Sequence, residues 1–582
     1  MSSYLVKSLG LGRLTSGVLL CALGLGGTSL SAQVTGQSSQ EIALPDTQER
    51  RSDPINIKVE QNLAASSECP FEANDVKVSI DALSFVGAGG SAVPPQISEV
   101  LSTISAPGAE RPLAVVCQLR DEANATLRKG GWIASVSLPP QEIDGTLRLA
   151  VTSGLLGNIA IEGDPGPYAD LMQGLVGRLK QINPLNERAI ERALLNAIDV
   201  PGLSAGLKLA PSASGAGQID GTLTVNFDRY AVYFNARNMN ARAVGRETVF
   251  GRAELYGLTG LSDSTYIGAQ TTVDFEEQFV LQAGHEFGVG PDNIRIGTEV
   301  TYAESRPDIL GLDLQTDTFV AGLYASYPAI RTPLAALDLV VGFELVDQST
   351  DIAAVRLSED ATRNIYVRAQ MDGQRRRIDR STEFLYRGFV ELSQGISAFG
   401  ATDAGASGFA ETNGFVASRP FGDATATVVR AGGDLTWLAS PVISLRAKVE
   451  GQWTNDPLLS FEEFAIGNLG IGRGYDPGAS SGDRALGAQY ELGANVWSSN
   501  GNRLQLFGFY DAILVENLDP GTLDRTRRLS STGGGFRLNL GRKLSAEVSY
   551  AAPLDPALPG DIDEPPSRLL FSITTQLPAL TR

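Results

Sequence analysis

The 582-residue chain is 43% hydrophobic and only 19% charged, and it carries a formal net charge of −19 at pH 7. It is too long for one compact domain and too apolar for a disordered one. The acidic balance argues against a nucleic-acid partner, which needs a basic face, and a single histidine leaves nucleophile–histidine and two-histidine metal chemistry unsupported.

In chain order, residues 1–32 read as a secretory signal. Lys7 and Arg13 supply the basic start, Val18 to Leu25 the apolar stretch, and Thr28-Ser29-Leu30-Ser31-Ala32 the small-residue cleavage zone, cut after Ala32 or Ser31. Cys21 lies in the apolar stretch behind Leu20, where lipid attachment would want a small residue. Beyond the signal two cysteines remain, Cys69 and Cys117. An even pair in an exported chain reads as a structural disulfide, worth about 3–4 kcal/mol for a loop of this length. No later apolar run reaches the length of a membrane helix. Two classes stay open: a soluble exported protein, or a barrel that crosses the membrane by strands.

Residues 33–68 are rich in Gln, Ser and charge and are interrupted by Pro45 and Pro54, which predicts a flexible leader. From Cys69 the texture changes. Ile143-Asp144-Gly145-Thr146-Leu147 recurs as Ile219-Asp220-Gly221-Thr222-Leu223, each with a Gln upstream, Gln141 and Gln218. The spacing predicts two units of about 75 residues, 69–153 and 154–228. Both Asp-Gly pairs are expected in turns, each leading into an alternating strand. Each unit carries a helix: Leu119, Ala123 and Leu127 mark one, ending near Gly130-Gly131 before a strand from Trp132 to Val136. Leu185, Ala189, Ile190, Ala193, Leu194 and Ala197 mark the other, with Asn183-Pro184 expected as its cap and first position.

Residues 229–582 alternate, segment after segment. Leu445, Ala447, Val449, Gly451 and Trp453 oppose Ser444, Arg446, Lys448, Glu450 and Gln452; Leu486, Ala488, Tyr490, Leu492 and Ala494 oppose Gly487, Gln489, Glu491 and Gly493. Phe536, Leu538 and Leu540 oppose Arg537 and Asn539, and Leu544, Ala546, Val548 and Tyr550 oppose Ser545, Glu547 and Ser549. A soluble sheet would also alternate. Segments of about 9–11 residues, with one uncharged face and one face bearing both signs, favour a transmembrane antiparallel β-barrel with a wet lumen. At roughly 22 residues per strand and loop, the region holds about sixteen strands.

Catalytic motifs are weak. His285 sits in an alternating strand, and carboxylate pairs such as Glu462-Glu463 carry almost no specificity in an acidic protein. Gly467-Asn468-Leu469-Gly470-Ile471-Gly472-Arg473-Gly474 lacks the Lys-Ser/Thr of a phosphate loop, and no helix pattern follows it. It is a Gly-dense loop with one arginine: either an exposed loop, or a lumenal one whose guanidinium needs a carboxylate. On the next segment but one, Arg503, Gln505, Phe507, Phe509 and Asp511 share a face, which makes Asp511 the candidate partner.

With these residues in place, the chain resembles the outer-membrane transporters of two-partner secretion, the haemolysin secretion/activation (ShlB/FhaC/HecB) type. Ile471-Gly472-Arg473-Gly474-Tyr475 is similar to the family's Val-Arg-Gly-Tyr/Phe loop motif, continued by Gly482-Asp483 and Glu491; Phe509-Tyr510-Asp511 is similar to its Phe-x-Asp-x-Gly strand motif. The cysteine pair, Gly130-Gly131-Trp132-Ile133, Leu138-Pro139-Pro140-Gln141, Leu185-Asn186-Glu187-Arg188 and Pro201-Gly202 resemble two POTRA domains. Gly472 stands where the family has Val, Ile513 replaces the closing Gly, and the terminal aromatic common in outer-membrane barrels is missing. The family's N-terminal plug helix is not visible among the prolines of residues 33–68.

The resemblance implies two α/β POTRA domains before a barrel of about sixteen strands at 229–582, with Arg473 paired to Asp511 inside it. It implies an outer-membrane pore with periplasmic POTRA domains that translocates an unfolded exoprotein. No enzyme activity, cofactor, metal, nucleic acid or small-molecule substrate is expected; the partners are the exoprotein and membrane lipid. The alternatives are a factor that inserts other barrels, and a soluble exported all-β binding protein, which would need no detergent.

Overall fold

The computed structural model describes residues 37–45, 56–59, 69–72 and 76–577, apart from 216, 291–292, 309–310, 378–380, 468, 523–524, 542 and 559–560. The expected signal, 1–32, and the last five residues lie outside the described residues.

Two small α/β units come first and share one topology. In the first, β2 (Ile80–Gly87), α1 (Pro95–Leu101), α2 (Val115–Lys129), β3 (Ala134–Ser137) and β4 (Gly145–Ser153) form a sheet with β4 central, parallel to β2 and antiparallel to β3. In the second, β5 (Leu155–Asp164), α3 (Ala169–Lys180), α4 (Glu187–Ile198), β6 (Leu203–Pro211) and β7 (Gln218–Phe227) repeat the arrangement with β7 central. The five-residue repeat therefore marks the same structural strand twice. Its Asp-Gly pairs differ, however. Gly145 takes a positive φ of 83° as the first residue of β4, whereas Gly221 lies inside β7, and Asp220 there accepts from the Asn158 N–H (3.0 Å). The Ser212 hydroxyl first, and that N–H next, hold the Asp220 carboxyl below its ordinary range.

α2 buries Val116, Leu119, Ala123 and Leu127 at helical spacing and ends at Gly130. Its buried Asn124 reads the neighbouring strand, accepting from the Val136 N–H (2.8 Å) and donating to the Val136 carbonyl (2.9 Å). Cys69 and Cys117 form a disulfide that pins the start of the first unit to α2 across 48 residues. Two expectations shift. The α4 cap is Asn186, whose Oδ1 accepts from the Arg188 and Ala189 N–H groups, not Asn183; the strand after Gly131 begins at Ala134, with Trp132 only bridged to Asn186. The side chain of Asn186 also donates to the Gly130 carbonyl (3.1 Å), so the cap doubles as a joint between the units.

Two pieces of the expected leader are described, and the rest of residues 33–68 lies outside the described residues. Residues Asn56–Val59 form a strand, β1, added in parallel to the β6 edge of the second unit. Residues 37–45 lie inside the barrel, with Gln37 and Ile42 buried. Neither piece has a periodicity of its own; partners elsewhere in the chain supply the hydrogen bonds.

Sixteen antiparallel strands close the barrel. They are β8 (Tyr230–Arg237), β9 (Thr248–Tyr256), β10 (Ser264–Thr272), β11 (Gln278–Val289), β12 (Ile294–Ser305), β13 (Leu314–Arg331), β14 (Ala335–Ile352) and β15 (Val355–Arg376), then β16 (Thr382–Gly395), β17 (Thr427–Leu438), β18 (Ile443–Thr454), β19 (Arg484–Ser499), β20 (Asn502–Glu516), β21 (Thr526–Leu540), β22 (Leu544–Pro553) and β23 (Arg568–Leu577). β8 pairs with β23 to complete the ring. Strands run from 8 to 22 residues, so the longest exceed what the bilayer alone requires. The predicted faces hold: Leu445, Val449, Trp453, Leu486, Tyr490 and Leu492 are exposed on the outside, while Ser444, Gln452 and Glu491 are buried within. No described helix is long and apolar enough to cross a membrane. The second unit docks on the near rim, where the Asp199 carboxylate reaches Arg331 (3.3 Å) and its carbonyl accepts from Asn293 Nδ2 (3.1 Å).

Candidate functional site

Loop 455–483, between β18 and β19, folds back into the lumen, and its Ile466, Ile471 and Tyr475 are fully buried. A backbone turned into a barrel must find partners for its polar groups, and the wall of β19–β22 supplies them. The N–H of Arg473 donates to Asp511 Oδ2 (2.8 Å), its Nη2 to Asp511 Oδ1 (3.1 Å) and its Nη1 to Glu491 Oε2 (2.9 Å). The guanidinium also stacks over the Phe509 ring, 3.6 Å from its centroid. Asp511 is wholly buried and accepts a further hydrogen bond from Ser531 Oγ (3.1 Å). Glu491 is shared with Arg537 (3.2 Å), which pairs in turn with Glu547 (2.7 Å). Charges alternate along the series Asp511–Arg473–Glu491–Arg537–Glu547, so none of these ions is left unpaired.

Two glycines make the approach possible. A Cβ on Gly474 would lie 2.7 Å from Ser531 Cβ and from the Pro553 nitrogen, so any side chain there would push the loop off the wall; its N–H donates to Ser531 Oγ (3.2 Å). Gly472 has a φ of 108°, and its Cβ would meet Ile513 Cδ1 at 2.8 Å. The two departures from the family pattern thus face each other: Ile513 fills the space that Gly472 leaves. Tyr475 inserts beyond them, its hydroxyl 2.9 Å from the carbonyls of Ser530 and Asp555.

The structure therefore brings Gly472, Arg473, Gly474, Tyr475, Phe509 and Asp511 together. Cys69 and Cys117 lie apart in the first unit. His285 faces outward on β11, bonded through Nδ1 to Thr265 Oγ1 (2.8 Å), and takes no part in the lumen.

Of the other residues of the site, only Asp483 had a signal in the sequence, as part of the loop motif, and it came with no assigned partner. Asp483, at the loop's end, is fully buried and accepts from the Leu458 and Leu518 N–H groups (2.7 and 2.6 Å) and from Arg419. Arg419 reaches in from the loop after β16 and also pairs with Glu463 (3.0 Å) and Asp519 (2.8 Å). Glu462 accepts from Asn364 Nδ2 (2.7 Å) and pairs with Arg430 on β17. Of the Glu462-Glu463 pair, without specificity as sequence, Glu462 anchors this loop to the strands β15 and β17, and Glu463 ties it to Arg419 and to Ser481. At the loop tip Asp476 pairs with Arg246 (3.4 Å) and with Arg568 on β23.

The sequence profile of the haemolysin secretion/activation protein ShlB/FhaC/HecB family matches residues 224–538. The heme/hemopexin transporter protein HuxB of Haemophilus influenzae is 23% identical over 471 residues, covering 77% of this chain and 79% of that protein. Among solved structures, CdiB from Escherichia coli aligns with a TM-score of 0.64 at 14% identity, over 91% of this chain and 95% of that one. CdiB from Acinetobacter baumannii gives 0.54 at 16% identity over 94% and 96%. BamA from Haemophilus ducreyi lacking POTRA domains 1–3 gives 0.50 at 13% over 86% and 100%, a likeness of fold. A profile matching more than half of the chain, on a barrel preceded by two POTRA-type units, shows that the chain belongs to the haemolysin secretion/activation protein family of outer-membrane transporters.

Proposed function

We propose that the chain is a passive conduit for one unfolded exoprotein, recognised in the periplasm by the POTRA units and passed outward through the lumen. One observation carries this reading: two inserts, loop 455–483 and segment 37–45, occupy the lumen. Beside two small apolar clusters, the loop is held by ion pairs and the segment by hydrogen bonds. Such contacts exchange for those of another polypeptide at little net cost, whereas a packed apolar core would not.

Capture by strand addition fits the units. The β6 edge already holds an added strand, the four-residue β1, so an incoming strand there must displace it. Arg473 and Asp511 act as a clasp that sets the loop's resting position. The periplasm offers no nucleotide, and folding of the cargo outside would supply the drive. The test is to compare culture-supernatant proteins with and without the gene. Loss of one large exoprotein, with other barrels at normal levels, is the expected outcome. A joint decline of many barrels with no exoprotein lost would instead support the insertase reading.

A further inference from the structure

The clasp holds loop 455–483 against β19–β22, which leaves a cleft between that loop and the opposite wall, β8–β14. Segment 37–45 fills this cleft. The wall grips it largely by its main chain. Gln348 Nε2 donates to the Gln37 carbonyl (2.9 Å), Gln278 Nε2 to the Glu41 carbonyl (3.3 Å) and Arg237 Nη2 to the Ala43 carbonyl (3.3 Å). From the loop side, the Ala465 carbonyl accepts from Gln40 Nε2 (2.5 Å), and Thr318 adds one side-chain bond to Gln37. An apolar socket of Val280, Ala303, Val346 and Phe461 receives the buried Ile42, with Leu44 and Val320 packed at its edge.

Arg237 is the informative member. It is buried, and among the described residues its hydrogen-bond partners are neutral, Gln270 Oε1 (2.8 Å) and the Ala43 carbonyl, with no carboxylate in ion-pair range. A buried guanidinium answered by amide oxygens, beside a row of glutamines, is a surface that reads peptide carbonyls. Every polypeptide presents those in any sequence.

We propose that the cleft between loop 455–483 and the β8–β14 wall is the polypeptide track of the pore, and that residues 37–45 occupy it as a stand-in for the translocating chain. The inference rests on the secretion reading and adds to it where the chain runs: past Gln348, Gln278 and Arg237, with the Arg473–Asp511 clasp still closed. The grip tolerates sequence because it is mostly on main-chain carbonyls, with a preference for one aliphatic residue at the socket.

The test uses the full chain carrying Ile42→Asp, which places a charge in the apolar socket and releases the segment, in planar lipid bilayers. Two peptides are added: one with the sequence of residues 37–45, and one of the same composition, shuffled except for the isoleucine at its sixth position. Both are expected to block the current at similar concentrations. Adding Gln278→Ala and Gln348→Ala should weaken both blocks about tenfold or more, as loss of two hydrogen bonds predicts, while Lys448→Ala on the opposite wall leaves them unchanged. If Ile42→Asp does not open the pore, removal of residues 37–45 exposes the same cleft, and binding of the labelled peptides in detergent replaces the current as readout. Block or binding by the native sequence alone, or insensitivity to the two glutamine substitutions, would overturn the track. Either result is independent of whether an exoprotein is lost from the supernatant, so failure of the secretion reading would be seen separately.

Discussion

Asp511→Asn is the sharpest perturbation of the clasp, because it removes one charge and almost no volume. The carboxylate accepts from the Arg473 N–H, the Arg473 guanidinium and Ser531 Oγ. An amide keeps one oxygen and turns an NH₂ group toward donors. Leaving a buried ion without its partner costs about 3–5 kcal/mol. Glu491, 2.9 Å from Arg473, keeps part of the compensation. A net loss of about 2–3 kcal/mol follows, or roughly 30- to 160-fold in the ratio of clasped to released loop. Amide hydrogen exchange over residues 471–476 reads that ratio, and these amides should exchange faster by about this factor, with β16 and β17 unchanged. An effect under threefold would refute the assigned role of Asp511. Acceleration in every strand alike would show a damaged barrel and not a released loop.

Four further outcomes test the geometry. Gly474→Ala should release the loop as fully as Asp511→Asn, since its Cβ meets Ser531 and the Pro553 backbone; unchanged exchange would contradict the close approach. Gly472→Ala and Ile513→Ala should each loosen the loop, but their effects should combine non-additively in a double-mutant cycle because the side chains compete for one space. Cys69→Ser should lower the stability of the first unit by about 2–5 kcal/mol, seen as a lower unfolding midpoint that reductant reproduces in the parent chain. Leu492→Arg, on the outside, should cost about 2–4 kcal/mol if it lies at mid-membrane, read from urea unfolding in lipid, whereas Gln489→Arg, facing the lumen, should be tolerated.

Much of the barrel was legible because a period of two needs only local information. Leu445 and Arg446 declare opposite faces wherever the strand sits, and the same parity put Asp511 on the lumenal side. Arg473 and Asp511 could be paired from sequence through the family motifs. Arg419, Glu463 and Asp483 could not, because their contacts join loops far apart in the chain that only barrel closure brings together. The helices α1 and α3 escaped notice for another reason: α1 spans seven residues, and α3 carries Gly174 and Gly177. Segment 37–45 has no pattern at all. Its conformation is set by the wall that holds it, so a reading of its own residues sees only a polar leader.

Passage of an exoprotein inside this barrel can be caught by a photoreactive residue at lumenal position 489, in intact secreting cells. A crosslink is expected from the lumen to one large secreted protein, and none from position 573 on the outer face beside the β8–β23 seam. Crosslinks from the seam to other outer-membrane barrels, with the lumen silent, would contradict that passage.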